Sequence, residues 1–218
     1  MRLQSAIFDM DGTLLDSMPT WRELGPTFLK EEGISATPEQ DRMLHTLADC
    51  DVIPYLREVC GLPWSQQEII DQIIQRMETF YSSQVRPKPG LEKFLSILKM
   101  EGVWMYVATA THRRLTEKAL KTAGIDHYFR GIVTSADAGN HKSESADIYE
   151  MAMRRLQSNK RDTVVFEDAL HAIRTAKAAG FRVAGVYEAT AEQDQPEIQR
   201  LCDYYIRSYE ELVQSETF

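Results

Sequence analysis

The chain has 218 residues, 43% of them apolar and 27% charged, with a formal net charge of -8. That length and composition suit one compact domain carrying an insertion, or two small domains, with a core that needs no disulfide or metal to hold it together. The acidic balance, with a pI near 5.2, argues against a nucleic-acid partner and obliges any anion site to gather positive charge locally.

In chain order, Ser5-Ala6-Ile7-Phe8 predicts a buried strand, closed by the polar turn Asp9-Met10-Asp11-Gly12-Thr13. Residues 15–88 then read as helices only. Thr37-Pro38-Glu39-Gln40 and Ser65-Gln66-Gln67-Glu68 are capping boxes. The second opens a helix whose Ile69, Ile70, Ile73, Ile74, Met77, Phe80 and Tyr81 are expected on one core-facing side. Gly33 and Gly61 mark helix ends, and Gly25-Pro26 is expected to break or kink the first helix. Val85-Arg86-Pro87-Lys88-Pro89-Gly90 reads as a stiff return linker.

From Leu91 onward helices and strands alternate. Helices are expected from Leu91 to about Gly102, up to Gly124, from about Ala146 to Leu156, and up to Gly180. Between them lie the strands Val103–Ala108, Gly131–Thr134, Thr163–Phe166 and Phe181–Val186, with a last short one at Tyr204-Tyr205-Ile206. Such alternation implies βαβ units and a parallel sheet. The expected class is therefore α/β: a Rossmann-like parallel core from residues 1–14 and 89–218, with an all-helical cap, 15–88, inserted after the first strand. Three cysteines, Cys50, Cys60 and Cys202, show no metal-ligand spacing and read as reduced thiols. No signal-like segment and no apolar run near the ~20 residues that span a bilayer are found, so a cytoplasmic protein without a membrane partner is expected.

In parallel sheets ligands bind at the carboxyl ends of strands, beside a switch in strand order. Asp9 and Asp11 follow the first strand; Thr109, Ala110, Thr111 and His112 follow the second. His141 and Lys142 lie downstream of the third, and Glu167 and Asp168 follow the fourth. Several carboxylates at one rim repel unless a cation joins them, and Mg²⁺ takes such oxygen ligands. Asp9 and Asp168 are the natural pair, with Glu167 near enough to hold a metal-bound water, and Thr109 and Lys142 are left to hold an anion. These are the parts that phosphoryl transfer needs: a nucleophile, a proton donor and acceptor, and charge stabilisation. Asp9 and Asp11 could divide the first two roles.

The motif Phe8-Asp9-Met10-Asp11-Gly12-Thr13-Leu14-Leu15-Asp16-Ser17 resembles the first motif of the haloacid dehalogenase superfamily, in its phosphatase and phosphomutase branch with a helical cap. Val107-Ala108-Thr109-Ala110-Thr111 resembles the second motif. Phe166-Glu167-Asp168, followed by Ala176-Lys177-Ala178-Ala179-Gly180, resembles the fourth. The resemblance spans about residues 4–187. It implies Asp9 as nucleophile and metal ligand, and Asp11 as general acid/base with its backbone carbonyl on the metal. It places Thr109, Ala110, Thr111 and Lys142 on the phosphoryl group, and Asp168 and Glu167 at the Mg²⁺. The third motif departs from the family pattern: Lys142 stands one residue further from Asp147 and the usual prolines are missing, so His141 and Lys142 compete for the phosphate. Ala169 and Ala172 replace a usual serine and glycine.

A Mg²⁺-dependent phosphatase of a small phosphorylated metabolite, acting through an aspartyl-phosphate as a monomer or weak dimer, is thus expected. The alternatives are a sugar phosphomutase of the same family, whose cap histidine is matched here by Trp21, and a non-catalytic binding protein on this fold. Trp21, His45, Asp49 and Asp51 are the candidate cap residues for choosing the substrate.

Overall fold

A computed structural model describes residues 3–44, 47 and 49–214. Six strands form one sheet: β1 (Ser5–Phe8), β2 (Trp104–Thr109), β3 (Ile132–Thr134), β4 (Thr163–Glu167), β5 (Arg182–Val186) and β6 (Tyr204–Ile206). Their order is β3-β2-β1-β4-β5-β6, every pair parallel. The chain builds outward from β1 to β3 on one side, then returns to place β4 on the other. The switch in strand order therefore falls between β1 and β4. Phe8 is in register with Val107 and with Phe166. The residues just after Phe8 and Phe166, and two after Val107, consequently meet at one rim.

Side chains alternate across the sheet as the period of two requires. Ala6, Phe8, Val107, Val164 and Phe166 join one apolar cluster; Ile7, Ala108, Val165 and Val183 join the other. The first face is covered by α5 (Leu91–Met100) and α6 (Arg113–Thr122), the second by α8 (Asp147–Arg155), α9 (Leu170–Ala178) and α10 (Gln195–Leu201). A short α7 (Ser135–Ala138) follows β3, and α11 (Tyr209–Gln214) packs against α5.

Between β1 and α5 lies the helical insertion: α1 (Met18–Glu31), α2 (Pro38–Leu44), α3 (Asp49–Glu58) and α4 (Gln66–Ser83). Both expected capping boxes form. Gln40 and Thr37 exchange hydrogen bonds at 2.9 and 3.2 Å, and Ser65 and Glu68 at 2.7 and 3.2 Å. Of the break or kink expected at Gly25-Pro26, the break does not occur; α1 runs through it. Gly25 is buried, and a Cβ there would meet Leu44 at 3.3 Å and Leu56 at 3.5 Å. Tertiary packing of a bare backbone face thus outweighs the hydrogen bond that Pro26 cannot donate. The apolar face of α4 is also narrower than expected. Ile69, Met77 and Tyr81 are buried, whereas Ile74 is 37% exposed. Residues four apart form the packed stripe, and Ile74 lies off its edge.

The two chain crossings run side by side. Asp16 N–H donates to Arg86 O at 3.0 Å and Lys88 N–H to Leu14 O at 2.9 Å. Core and insertion share one apolar cluster, which passes from Phe8 and Phe94 through Leu14, Leu15 and Val85 to Phe28, Leu56 and Tyr81.

Candidate active site

At the rim Asp9 continues the β1 ladder, its N–H donating to Phe166 O at 2.9 Å. The chain then turns tightly, with Leu14 and Leu15 both donating to Met10 O at 2.9 Å. Gly12 sits in this turn at φ +81°, and a Cβ there would stand 2.3 Å from Asp168 Oδ2, so no other residue fits. Thr13 Oγ1 donates to Asp168 Oδ1 at 2.8 Å. The turn after β1 and the loop after β4 are thereby locked together.

Asp9 and Asp168 are almost wholly buried, at 2% and 4% exposure. Lys142 Nζ donates to Asp9 Oδ1 at 2.7 Å and to Glu167 Oε1 at 2.6 Å. Glu167 also accepts from the Tyr149 hydroxyl at 2.9 Å and from the N–H groups of Asp168 and Ala169 at 3.1 Å. Both of its oxygens are therefore occupied in orienting Lys142 and the loop, and Glu167 does not line the cavity beside Asp9. His141 points elsewhere. Its Nδ1 pairs with Ser143 Oγ at 2.8 Å, and the turn at 141–145 takes up the extra residue, with Glu144 and Ser145 both donating to His141 O.

Asp11 is held by three hydroxyls: Ser17 at 2.6 Å and Tyr81 at 2.5 Å on Oδ1, and Thr111 at 2.7 Å on Oδ2. Tyr81 in turn accepts from the Trp21 indole at 3.0 Å. Thr111 N–H donates to Thr109 Oγ1 at 3.1 Å. Asp9, Asp11, Thr109, Ala110, Thr111, Lys142 and Asp168 all line one cavity of about 80 Å³. The insertion adds Trp21 and Arg22 to its wall, and the turn after β5 adds Thr190 and Asp194. Of the other candidate cap residues, Asp51 is exposed on α3, and His45 and the Asp49 side chain lie outside the described residues.

Oxygens of Asp9, Glu167 and Asp168 lie within 4.8 Å of one another. Burial, and then the Glu167 carboxylate, push Asp168 from 3.8 up to about 7. Burial likewise raises Asp9; Lys142 pulls it down, but Glu167 and Asp168 push the same way as burial. Burial alone would lower the Lys142 ammonium, yet Asp9 and Glu167 outweigh it and hold the group above its ordinary 10.5. The cluster has one cation for three carboxylates, and the raised carboxyls mark the charge that a second cation would offset.

Sequence reasoning does not place Tyr81 at the site. It reads as one more apolar position in α4, and nothing local marks its hydroxyl as facing a turn 70 residues away. Arg22, Thr190 and Asp194 carry no motif either.

Residues 6–186 match the family described as haloacid dehalogenase-like hydrolase. The chain belongs to this family. It is an enzyme, a hydrolase of the phosphatase type. The chain is 26% identical over 185 residues to a phosphorylated carbohydrates phosphatase of Thermotoga maritima, covering 84% of this chain and 85% of that protein. It is 30% identical over 191 residues to protein CbbY of Cereibacter sphaeroides, covering 83% and 82%. Its fold is similar to that of CbbY from Rhodobacter sphaeroides solved in complex with xylulose 1,5-bisphosphate, with a TM-score of 0.81, 23% identity and coverage of 97% and 96%. Among the described residues no helix is long and apolar enough to cross a membrane.

Proposed function

We propose that the chain hydrolyses the phosphate monoester of a small carbohydrate-type metabolite, with Asp9 as nucleophile and Asp11 as acid and base. One observation carries this reading. Two carboxylates on a single turn are handled oppositely: Asp9 is buried against an ammonium, whereas Asp11 is fixed by three neutral hydroxyls and faces the same cavity. The first environment suits a group that attacks, the second a group that carries a proton back and forth.

In the first half-reaction an Asp9 oxygen bonds to phosphorus as the bond from phosphorus to the leaving oxygen breaks, and protonated Asp11 gives its proton to that oxygen. Lys142 offsets the charge on Asp9 and on the transferred oxygens, and Thr109 and the Ala110 N–H orient them. In the second half-reaction water attacks the phosphorus, Asp11 takes its proton, and Asp9 leaves as carboxylate together with inorganic phosphate. The donor set in the acidic cluster is all carboxylate oxygen, which fits Mg²⁺. Asp9, Asp168 and the Asp11 backbone carbonyl would hold the ion, and it would supply the charge neutralisation that a phosphate dianion needs beside these carboxylates. The insertion acts as a cap that covers the leaving group, a role supported by Trp21 and Arg22 in the cavity wall.

The related activity of a sugar phosphomutase is disfavoured by Trp21. Its indole nitrogen is bound to Tyr81 and offers no proton-accepting nitrogen at the place where the resemblance puts histidine. The test is acid-stable labelling by a phosphorylated sugar together with phosphate release in Mg²⁺. Asp9→Asn should abolish both, and label retained in that variant rules Asp9 out as nucleophile.

A further inference from the structure

Arg22, on α1 of the insertion, and Thr190, in the turn after β5, line different walls of the catalytic cavity, and each has a buried side-chain atom without a hydrogen-bond partner, Nε of Arg22 and Oγ1 of Thr190. Arg22 makes one long hydrogen bond, from its terminal nitrogen to Leu47 O at 3.4 Å, and has no carboxylate partner among the described residues. Lys142 is the other lysine or arginine lining the cavity, and it is committed to Asp9 and Glu167. An arginine with a buried, unmet donor calls for an acceptor, and the planar fork of a guanidinium is met best by a carboxylate or a phosphate. Arg22 also stands on the wall contributed by the insertion, next to Trp21, while the groups that would hold the transferred phosphoryl stand on the sheet rim. The anion it could meet is thus a second one.

We infer that Arg22 and Thr190 form a leaving-group subsite for an anionic group, so that the preferred substrates are sugar phosphates bearing a second anion, a carboxylate or another phosphate, rather than neutral sugar or polyol phosphates. This rests on the phosphatase reading above. Asp194, on the same wall as Thr190, supplies a contact for the hydroxyls of the carbon chain between the two anionic ends. A rival arrangement uses the same residues differently. Arg22 could pair with Asp194 across the cavity when insertion and core approach, and would then be a latch that serves every substrate alike.

The experiment compares kcat/KM on four probes in Mg²⁺: p-nitrophenyl phosphate, fructose 1-phosphate, 6-phosphogluconate and xylulose 1,5-bisphosphate. The wild type should favour one or both of the last two. The preference between them tells a carboxylate from a second phosphate. In Arg22→Ala the ratio of kcat/KM for the preferred probe to that for fructose 1-phosphate should fall about 10- to 100-fold, chiefly through KM, the range expected for a lost hydrogen bond to a charged group. Arg22→Gln keeps most of the stem and should give the same fall if Arg22→Ala melts early. Arg22→Lys should retain part of the preference. A wild type that favours fructose 1-phosphate overturns the inference. So does an equal loss on all four probes, which would establish the latch. Wild-type failure on every probe, the aryl phosphate included, would instead strike the phosphatase reading itself.

Discussion

Three hydroxyls decide which way the Asp11 carboxylate points, and one of them, that of Tyr81, comes from a helix of the insertion. Removing it should loosen the acid without removing it. Tyr81→Phe is expected to lower kcat on alkyl phosphates by roughly tenfold, the scale of one hydrogen bond to a charged group. Asp11→Asn should cost ~10²–10⁴-fold, as loss of acid/base help does. Both variants should hurt aryl phosphates less, because a good leaving group needs little protonation. Equal loss on alkyl and aryl substrates in Asp11→Asn would remove Asp11 from the acid role. Between Lys142 and His141 the difference is one of reach. Only Lys142 meets Asp9, at 2.7 Å, and it is nearly buried there. Lys142→Ala should therefore remove most activity, and His141→Ala should retain more than half. The reverse result in steady-state assays would show that the loop is misread. What was legible here in advance was the meeting of Asp9, Asp11, Thr109, Ala110, Thr111, Lys142 and Asp168 at one cavity; His112 and Glu167, read from the same strand ends, do not line it. Tyr81 and Arg22 were not, because their roles depend on how α1 and α4 lie over the rim, and neither residue type signals that from its own neighbourhood.

At the scale of elements, the turn after β1 and the loop after β4 depend on one glycine. The positive φ of Gly12, and the 2.3 Å that would separate a Cβ at this position from Asp168, leave no room for a methyl group. Gly12→Ala should cost about 1–2 kcal/mol from the left-handed backbone alone. It should also push Asp168 aside, so that the Mg²⁺ concentration for half-activity rises by at least about tenfold. An unchanged metal titration would show that the approach is relaxed elsewhere. The elements themselves were readable because each strand was a short apolar run between helices of regular period, and the glycines marked helix ends. Pro26 does not end the helix because propensity is local, whereas the packing of Gly25 on Leu44 and Leu56 is not. The width of the α4 stripe misled for the same reason, since seven apolar residues exceed what one helix face can bury.

For the whole molecule, the surplus of carboxylates ties stability to pH and to metal. Burial and the neighbouring Glu167 carboxylate push Asp168 from an ordinary 3.8 up to about 7. A group raised in this way favours the fold fully below about pH 4, and that contribution is lost as pH rises through about 7. If the cluster holds Mg²⁺ as proposed, the ion would replace the proton as counter-charge. The rise in Tm on adding Mg²⁺ should therefore be larger at pH 8 than at pH 5, by thermal unfolding with a chelator control. A rise independent of pH would mean that the ion binds away from Asp168. Sheet order has a further consequence, in time rather than in energy. The strand made first, β1, finds its two neighbours only in β2 and β4, and the bond that closes the catalytic turn joins Thr13 to Asp168 across 155 residues. At a synthesis rate of about 5–20 residues per second, that partner emerges roughly 8–30 s later. During that interval the edge of β1 that β4 will cover stands with its backbone N–H and C=O groups unpaired, so the nascent chain carries an open template for wrong pairing until residue 168 has been made.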